Sequence, residues 1–588
     1  MPFFITQALG AFNDNIYKNA LAAMLVFNAS QLAGLNTNQV VNLSALVFML
    51  PFFLFSALFG QVADKFEKSR QIRHVKLFEI FIMALATLGF WLNYLPLLLG
   101  VLFLLGFQST MFGPIKYGMI PQVLKRNELI GGNALVEMGT FVAILAGTIA
   151  GPLLMSIEST WPVWVSGAAL LTAVAGYLAS RNIPELPAVA PELKISWNFL
   201  AETVRNIRFI GSNRIVLNSV LGISWFWFFG ATFLVQIPSF SENILSGDAS
   251  LMSTLLAMFI VGISAGSLMC ERLSGGQVEI GLVPLGALGL TLFGIDMYFA
   301  SPVEPAVYTT LGNFFTHGAN WRIVLDLMMI GIFSGFYIVP LYALVQQQTD
   351  LDHRSRVIAG NNILNALFMV VSATMAMLLL GRAGFSIPEL FLTTALLNLV
   401  VATYIFTIVP EFLRRFLVWI LIHTIYRVEV HGMENIPARG PVQFVMSHKI
   451  FQLPLLKFIF KTSKAIPIAG RHEDPEILEQ AYLKINQSLG NHMLLGISPE
   501  GGITTDGEIA AFKKGIKKIS QQQPVPVVPM ALCNLWGSLF SRCDPLYQRR
   551  PYKFRARIEL RIGQPIPPAE LTAERLESEV RKLRGEKR

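Results

Sequence analysis

Asn13, Asp14, Asn15 and Lys18 stand together inside a stretch otherwise dominated by Phe, Leu, Ala and Ile. A charged side chain at the centre of a bilayer costs about 2.5–3.5 kcal/mol on insertion scales, so such residues persist where they pair or act. Asp14 and Lys18 are spaced i, i+4, which puts a carboxylate and an ammonium on one helix face, within reach of each other. Two chemistries fit. One is an internal ion pair that fixes helix packing; the other is a polar spot lining a transport cavity. The two coexist if the pair breaks as the helices rock. Glu137, Asp326 and Asn362 are further polar groups in apolar runs, and Glu137 and Asp326 are expected to be buried. Glu79 falls near the end of its run, where water is expected to reach it.

The elements that carry these residues are apolar runs long enough to cross a bilayer, whose core of about 30 Å needs about 20 residues of helix. The spacing predicts spans near 3–28, 39–62, 75–94, 96–122, 130–156, 160–180, 213–238, 250–271, 280–300, 322–346, 359–381 and 387–409. Only 14% of the 588 residues are charged, against roughly 25% in soluble domains. The opening MPFFITQALGAFNDN has no basic n-region or small-residue cleavage site, so it reads as the first span itself and not as a signal peptide. Gly262 and Gly266 form a small-xxx-small pair, a helix-packing device.

Loop charge orients the spans. Lys65, Lys68, Arg70, Arg73 and Lys76, then Lys125 and Arg126, then Arg181, Lys194, Arg205, Arg208 and Arg214, then Arg272, then Arg354 and Arg356 fall in one set of loops. The alternate loops 29–38, 157–159, 239–249 and 301–321 hold no Lys or Arg. Cytoplasmic loops carry the excess of basic residues, which puts both termini in the cytoplasm. The net charge of +9 is thereby assigned to orientation and anionic lipid, with no nucleic acid as partner. Residues 181–212 divide the spans six and six, giving halves 1–180 and 213–410; the linker's WNFLAETVRNIRFI reads as an amphipathic helix on the membrane surface.

From 411 to 588 charges become frequent, and the β-like runs VEVHGM, PVQFVMS, KAIPIAG, MLLGIS, VPVVPMAL and ARIELRIG alternate with helical stretches. That alternation predicts a cytoplasmic α/β domain. The fold class is thus multi-domain: an all-α polytopic bundle of about twelve spans followed by an α/β domain. The three cysteines, Cys270, Cys533 and Cys543, fit no disulfide framework and no zinc motif, and no metal is expected.

Particular strings sharpen this reading. Gly60-Gln-Val-Ala-Asp64-Lys65-Phe-Glu-Lys68-Ser-Arg70, after the second span, resembles the loop signature of the major facilitator superfamily. Gly60 permits close helix approach, Asp64 caps or pairs at a helix end, and Lys65 and Arg70 hold the loop at the cytoplasmic face. GAFNDNIYKNAL at 10–21, QSTMFGPIKYGMIP at 108–121 and HRSRVIAGNNILNALFMV at 353–370 are similar to the lysophospholipid transporter branch of that superfamily. This resemblance implies movement of lysophospholipid from the outer to the inner leaflet of a bacterial inner membrane. In the soluble part Ser447-His448, Arg471 in KAIPIAGRHEDP, Ser498-Pro499-Glu500-Gly501 with the following FKKG, and Val525-Pro-Val-Val-Pro529 fall in order. That order resembles the glycerolipid acyltransferases, nearest to 2-acylglycerophosphoethanolamine acyltransferase domains fused to such transporters.

The second resemblance implies that His448 is a general base, taking the proton of a lipid hydroxyl as it attacks an acyl thioester, with Arg471, Glu500 and Gly501 holding the acceptor lipid. No resident cofactor is implied; the acyl donor is acyl-carrier-protein thioester or acyl-CoA, with acyl carrier protein as a possible further partner. The family's pattern of His, four residues, then Asp is broken, because Leu453 stands where the acid belongs. Two rivals follow: a lysophospholipid transporter with a degenerate lipid-binding domain, and a permease for another solute.

Overall fold

The computed structural model describes residues 1–27, 37–125, 128–155, 157, 160–274, 282–302, 311–408, 424–436, 442–447, 466–469, 473–490, 494–501, 507–513, 515–535 and 555–585. The chain divides into two compact units, Met1–Thr407 and Ile408–Arg588.

Lipid offers backbone N–H and C=O groups no partner, so long apolar runs must coil. The first unit does so: α1 Pro2–Phe27, α2 Thr37–Lys65, α3 Lys68–Trp91, α4 Leu95–Val123, α5 Leu129–Met155 and α6 Trp161–Ser180 form a first half. α7 Phe199–Ser212 follows. A second half consists of α8 Arg214–Asn243, α9 Ala249–Ser274, α10 Leu282–Ala300, the short α11 Leu311–Thr316, α12 Asn320–Gln348, α13 Arg354–Gly381 and α14 Ile387–Ile408. Among the described residues eleven helices are long and apolar enough to cross a membrane. The more polar α1 packs beside them, against α5 and α6.

One span begins earlier than its apolar run suggests. α3 starts at Lys68 because Glu67 caps it, its carboxylate accepting from Ser69 N at 2.8 Å and Arg70 N at 2.6 Å. Arg70, Arg73 and Lys76 are therefore helical, and Glu79 lies three turns inside. Glu67 also accepts from the Leu186 amide at 3.0 Å. Burial pushes its carboxyl up, but the Leu186 amide and the helix's first N–H groups outweigh this and hold it below the ordinary value.

Within the second half, α12 packs on α9 and α10, and α8 on α13. Gly262 and Gly266 face the backbone of α12 at Met328 and Ile332, and a Cβ at either would overlap it. Asn198 caps α7 by accepting from Ala201 N at 3.0 Å. This helix packs against α2, α8 and α13 through Glu202, Asn206 and Ile210 and leaves Leu200, Val204 and Ile207 outward. An apolar stripe turned away from the protein suits contact with lipid.

Among its described residues the second unit holds two three-stranded sheets. In one, β1 Tyr426–His431 runs parallel to β6 Ala556–Ile562, and β5 Met530–Cys533 pairs antiparallel to β6. In the other, β2 Val442–Ser447 lies between β3 Ile466–Ile468 and β4 Leu494–Ile497, all parallel. α15 Pro475–Gly490 and α16 Gly515–Gln522 cover the second sheet through Ala481, Ile485 and Ile519. α17 Ala573–Arg584 closes a further apolar cluster, with Leu576 against Phe512, Ile516 and Ile566.

Candidate functional site

Between the two halves of the bundle lies a cavity of about 450 Å³. Asn15, Lys18 and Asn19 of α1, Ser44 and Phe48 of α2 and Thr148 of α5 stand in one wall; Leu234, Val235 and Pro238 of α8 with Leu256 and Ile260 of α9 form the other. Every polar lining side chain thus comes from the first half, and the second half offers hydrocarbon alone. The lining sits toward the ends of these helices away from the basic loops.

At the basic-loop end the halves meet. Asp64, fully buried, accepts from Ser355 N at 3.2 Å and Arg356 Nε at 3.4 Å. Gly60 brings α2 against α13, and a Cβ there would come to 2.7 Å from that of Ala359. Asn133 of α5 and Gln346 of α12 exchange two hydrogen bonds, at 2.7 and 3.1 Å. The rings of Tyr117 and Tyr342 stack 4.3 Å apart. These contacts close that end, so the cavity belongs to a state shut on the basic-loop side. Lys65 lies over the Phe66 ring, and Arg70 sits exposed on the first turn of α3.

Two of the polar clusters within the spans hold predicted residues of the first half. Asp14 and Lys18 do not meet as a contact pair: Asp14 accepts from Ser109 Oγ at 2.7 Å, and Lys18 Nζ lies 4.5 Å from the Phe48 ring centre. The contact ion pair is instead Lys76–Glu79 at 2.7 Å, with both side chains essentially inaccessible. Glu79 also accepts from Asn13 at 3.0 Å and Gln108 at 3.1 Å. The expectation that water reaches Glu79 is therefore corrected: the early start of α3 carries it into the bundle. Its partner was visible as an i, i+3 spacing, but Lys76 read as a loop cation. In the second cluster Glu137, fully buried, accepts from Tyr117 Oη at 2.6 Å, and Lys116 donates to Thr140 at 2.8 Å.

Asn15 and Lys18 thus line the cavity, while Asn13, Asp14, Glu137, Asp326 and Asn362 are not in its wall. Asp326 is buried in α12 beside the Arg322–Asp296 ion pair, and Asn362 sits against Gly113 of α4.

In the second unit the register Val445↔Ile497 brings the ends of β2 and β4 out at one edge of the sheet. The turn Ser498–Gly501 leaves β4 there, with Gly501 in the left-handed region at φ +73°. A Cβ at Gly501 would meet the Lys513 side chain, so a lysine stands against this turn. Glu500 accepts from Ala510 N at 3.0 Å, and Lys513 N donates to Pro499 O at 2.9 Å. Glu577 of α17 accepts from Phe512 N at 3.1 Å; that amide, with Arg581, holds its carboxyl below the ordinary value. His448 follows directly on β2 in sequence, but His448, Leu453 and Arg471 lie outside the described residues.

A bundle of two six-helix halves around a central cavity defines a transporter fold. The family model described as Major Facilitator Superfamily matches residues 3–328, more than half of the chain, and the chain belongs to that superfamily. A model described as Acyltransferase matches residues 433–533, so the second unit carries an acyltransferase domain. Among curated relatives, the lysophospholipid transporter LplT of Enterobacter sp. (strain 638) is 28% identical over 352 residues, 58% of this chain and 78% of that protein. LplT of Escherichia fergusonii is 29% identical over 369 residues, covering 61% and 82%. Both alignments fit within the first unit's length. Among solved structures, the human organic anion transporter MFSD10 superposes with a TM-score of 0.56 at 12% identity, over 69% of this chain and 98% of that one. The proton:xylose symporter XylE gives 0.54 at 15% identity, over 70% and 95%. At those identities the likeness shows the fold alone.

Proposed function

We propose that the chain moves lysophospholipid from the outer to the inner leaflet of a bacterial inner membrane and re-acylates it in the attached domain. The observation that carries this reading is the two-sided cavity. Five polar side chains, Asn15, Lys18, Asn19, Ser44 and Thr148, stand among apolar ones such as Leu21, Phe48, Met49 and Ile144 in the first-half wall, and the facing wall from α8 and α9 is wholly apolar, an arrangement that suits a molecule with a polar head and a hydrocarbon tail. The LplT relatives supply the substrate class. Both termini and the acyltransferase domain lie in the cytoplasm in this reading, supported by the basic loops. Flipped lipid then reaches the domain at a raised effective concentration set by the tether.

In the acyltransferase domain His448 acts as the base on the free hydroxyl of the lipid, and the thioester of acyl carrier protein or coenzyme A supplies the acyl group. Arg471, the Glu500–Gly501 turn and the neighbouring Lys513 hold the acceptor's phosphate. The reading is tested in proteoliposomes holding the full chain: labelled lysophosphatidylethanolamine is expected to pass to the far leaflet and, with acyl donor supplied there, to become diacyl lipid. Lipid that stays in its original leaflet would sink it. A second reading, transport with a domain that binds but does not catalyse, is favoured by Leu453 in place of the acid. Transport without acyl transfer is its signature.

A further inference from the structure

Two acids and two cations of α1 and α3 lie together, the part-buried Asp14 and Lys18 and the fully buried Lys76 and Glu79, while the other buried cation of α3, Lys68, lies at its first turn beside Asp64. The set of four is linked through neutral groups. Ser109 Oγ lies 2.7 Å from Asp14 Oδ2 and 3.4 Å from Gln108 Oε1, and Gln108 Nε2 donates to Glu79 Oε2 at 3.1 Å. Lys76 Nζ donates to the same Glu79 oxygen at 2.7 Å, and Asn13 Nδ2 to the other at 3.0 Å.

The charges that act on Asp14 are Lys18, Glu79 and Lys76. The remaining neighbours of α1 add none. α6 has no charged residue. On α4, Lys116 turns to Thr140, and on α5, Glu137 turns to Tyr117. On α2, Asp64 and Lys65 sit at the far end, with Asp64 held by Ser355 and Arg356.

With all four groups ionised the set is neutral, and only one end of it meets the cavity, at Lys18. Both Glu79 oxygens are occupied, whereas Asp14 Oδ1 is buried and without a hydrogen-bond partner. An uncompensated charge in such a place costs several kcal/mol. A headgroup phosphate drawn to Lys18 adds one negative charge. If the headgroup also carries an ammonium, the sum stays at zero; if it does not, the set is left one charge negative.

We propose that Asp14 takes up a proton when the lipid at Lys18 has a net negative headgroup, and takes up none when the headgroup is zwitterionic. Proton movement then follows headgroup charge, and both lipids cross as electrically neutral loads. The inference rests on the lysophospholipid reading above. The step is a proton transfer alone: a proton from water in the cavity passes by way of the Lys18 end of the set to Asp14 Oδ1, and it returns to water when the lipid leaves.

The test uses the full chain in phosphatidylcholine proteoliposomes with a trapped pH dye and labelled lipid counted in parallel. With lysophosphatidylglycerol about one proton per lipid is expected, the amount that restores neutrality. With lysophosphatidylethanolamine the dye should follow protein-free liposomes. A potassium diffusion potential should change neither rate. In Asp14→Asn the protons counted per lysophosphatidylglycerol moved should fall to background; should this variant move no lipid, the comparison of the two lipids in the unaltered protein decides. Equal proton signals with both lipids would overturn the proposal, as would lysophosphatidylglycerol movement that follows the imposed potential without protons. If neither lipid moves, the transport reading itself falls and takes this inference with it.

Discussion

Glu79 has no access to water, so its charge depends on Lys76 and two amide donors. Removing one partner of a buried pair costs about 3–5 kcal/mol, while removing both costs far less. Lys76→Ala should therefore lower detergent-phase thermal stability markedly, and Lys76→Met with Glu79→Leu should recover most of it. Recovery that fails would mean the pair does more than balance charge. Glu67 works at the helix end. Its carboxyl is lowered in the fold, so its contribution is complete above the ordinary value of 4.5 and fades as pH falls through the lower folded value. Glu67→Ala should cost about 1 kcal/mol at neutral pH, as helix caps do, and less at acid pH; unfolding followed across that range checks both. The sequence shows that Asp14 and Lys18 share a face. It does not show that Ser109, 95 residues away, and the Phe48 ring would separate them, because periodicity describes one helix and not its neighbours.

At the scale of elements, the closure between α2 and α13 depends on Gly60 lacking a side chain. A Cβ there would approach Ala359 and the backbone of Ser355 and Arg356, none of which is a yielding side-chain end. Gly60→Leu should force the two helices apart on the basic-loop side. The distance between spin labels at positions 65 and 352, measured by pulsed resonance, should lengthen; an unchanged distance would show closure to be held elsewhere. The spans were legible because lipid imposes a simple length and composition on them. Their ends were less so. At α3 the run of Lys68, Arg70, Arg73 and Lys76 resembles a loop, and only the Glu67 cap reveals the helix. In the second unit the β-like runs fall on the six strands, since alternation with helices is itself a fold signal. Parallel register between β2 and β4, which sets where Ser498–Gly501 emerges, pairs residues 52 positions apart, as in Val445↔Ile497, and is written in no local pattern.

For the molecule as a whole, the proposed division of labour separates by mutation. His448→Ala should abolish formation of diacyl lipid while leaflet-to-leaflet movement continues. Leu453→Asp should raise acyl transfer if the missing acid is what limits it. Both are read by thin-layer chromatography of the products, and acyl transfer undiminished in His448→Ala would remove the base assignment. The polarity of α1 bears on how such a chain is made. Asn13 and Asp14 find their partners on α3 and α4, 66 and 95 residues further along. At synthesis rates of about 5–20 residues per second, several seconds pass before those helices exist. During that interval α1 holds solvation debts that hydrocarbon cannot settle, so it must wait beside the insertion machinery or at the bilayer surface, and it enters its final place only as the later helices arrive to receive it.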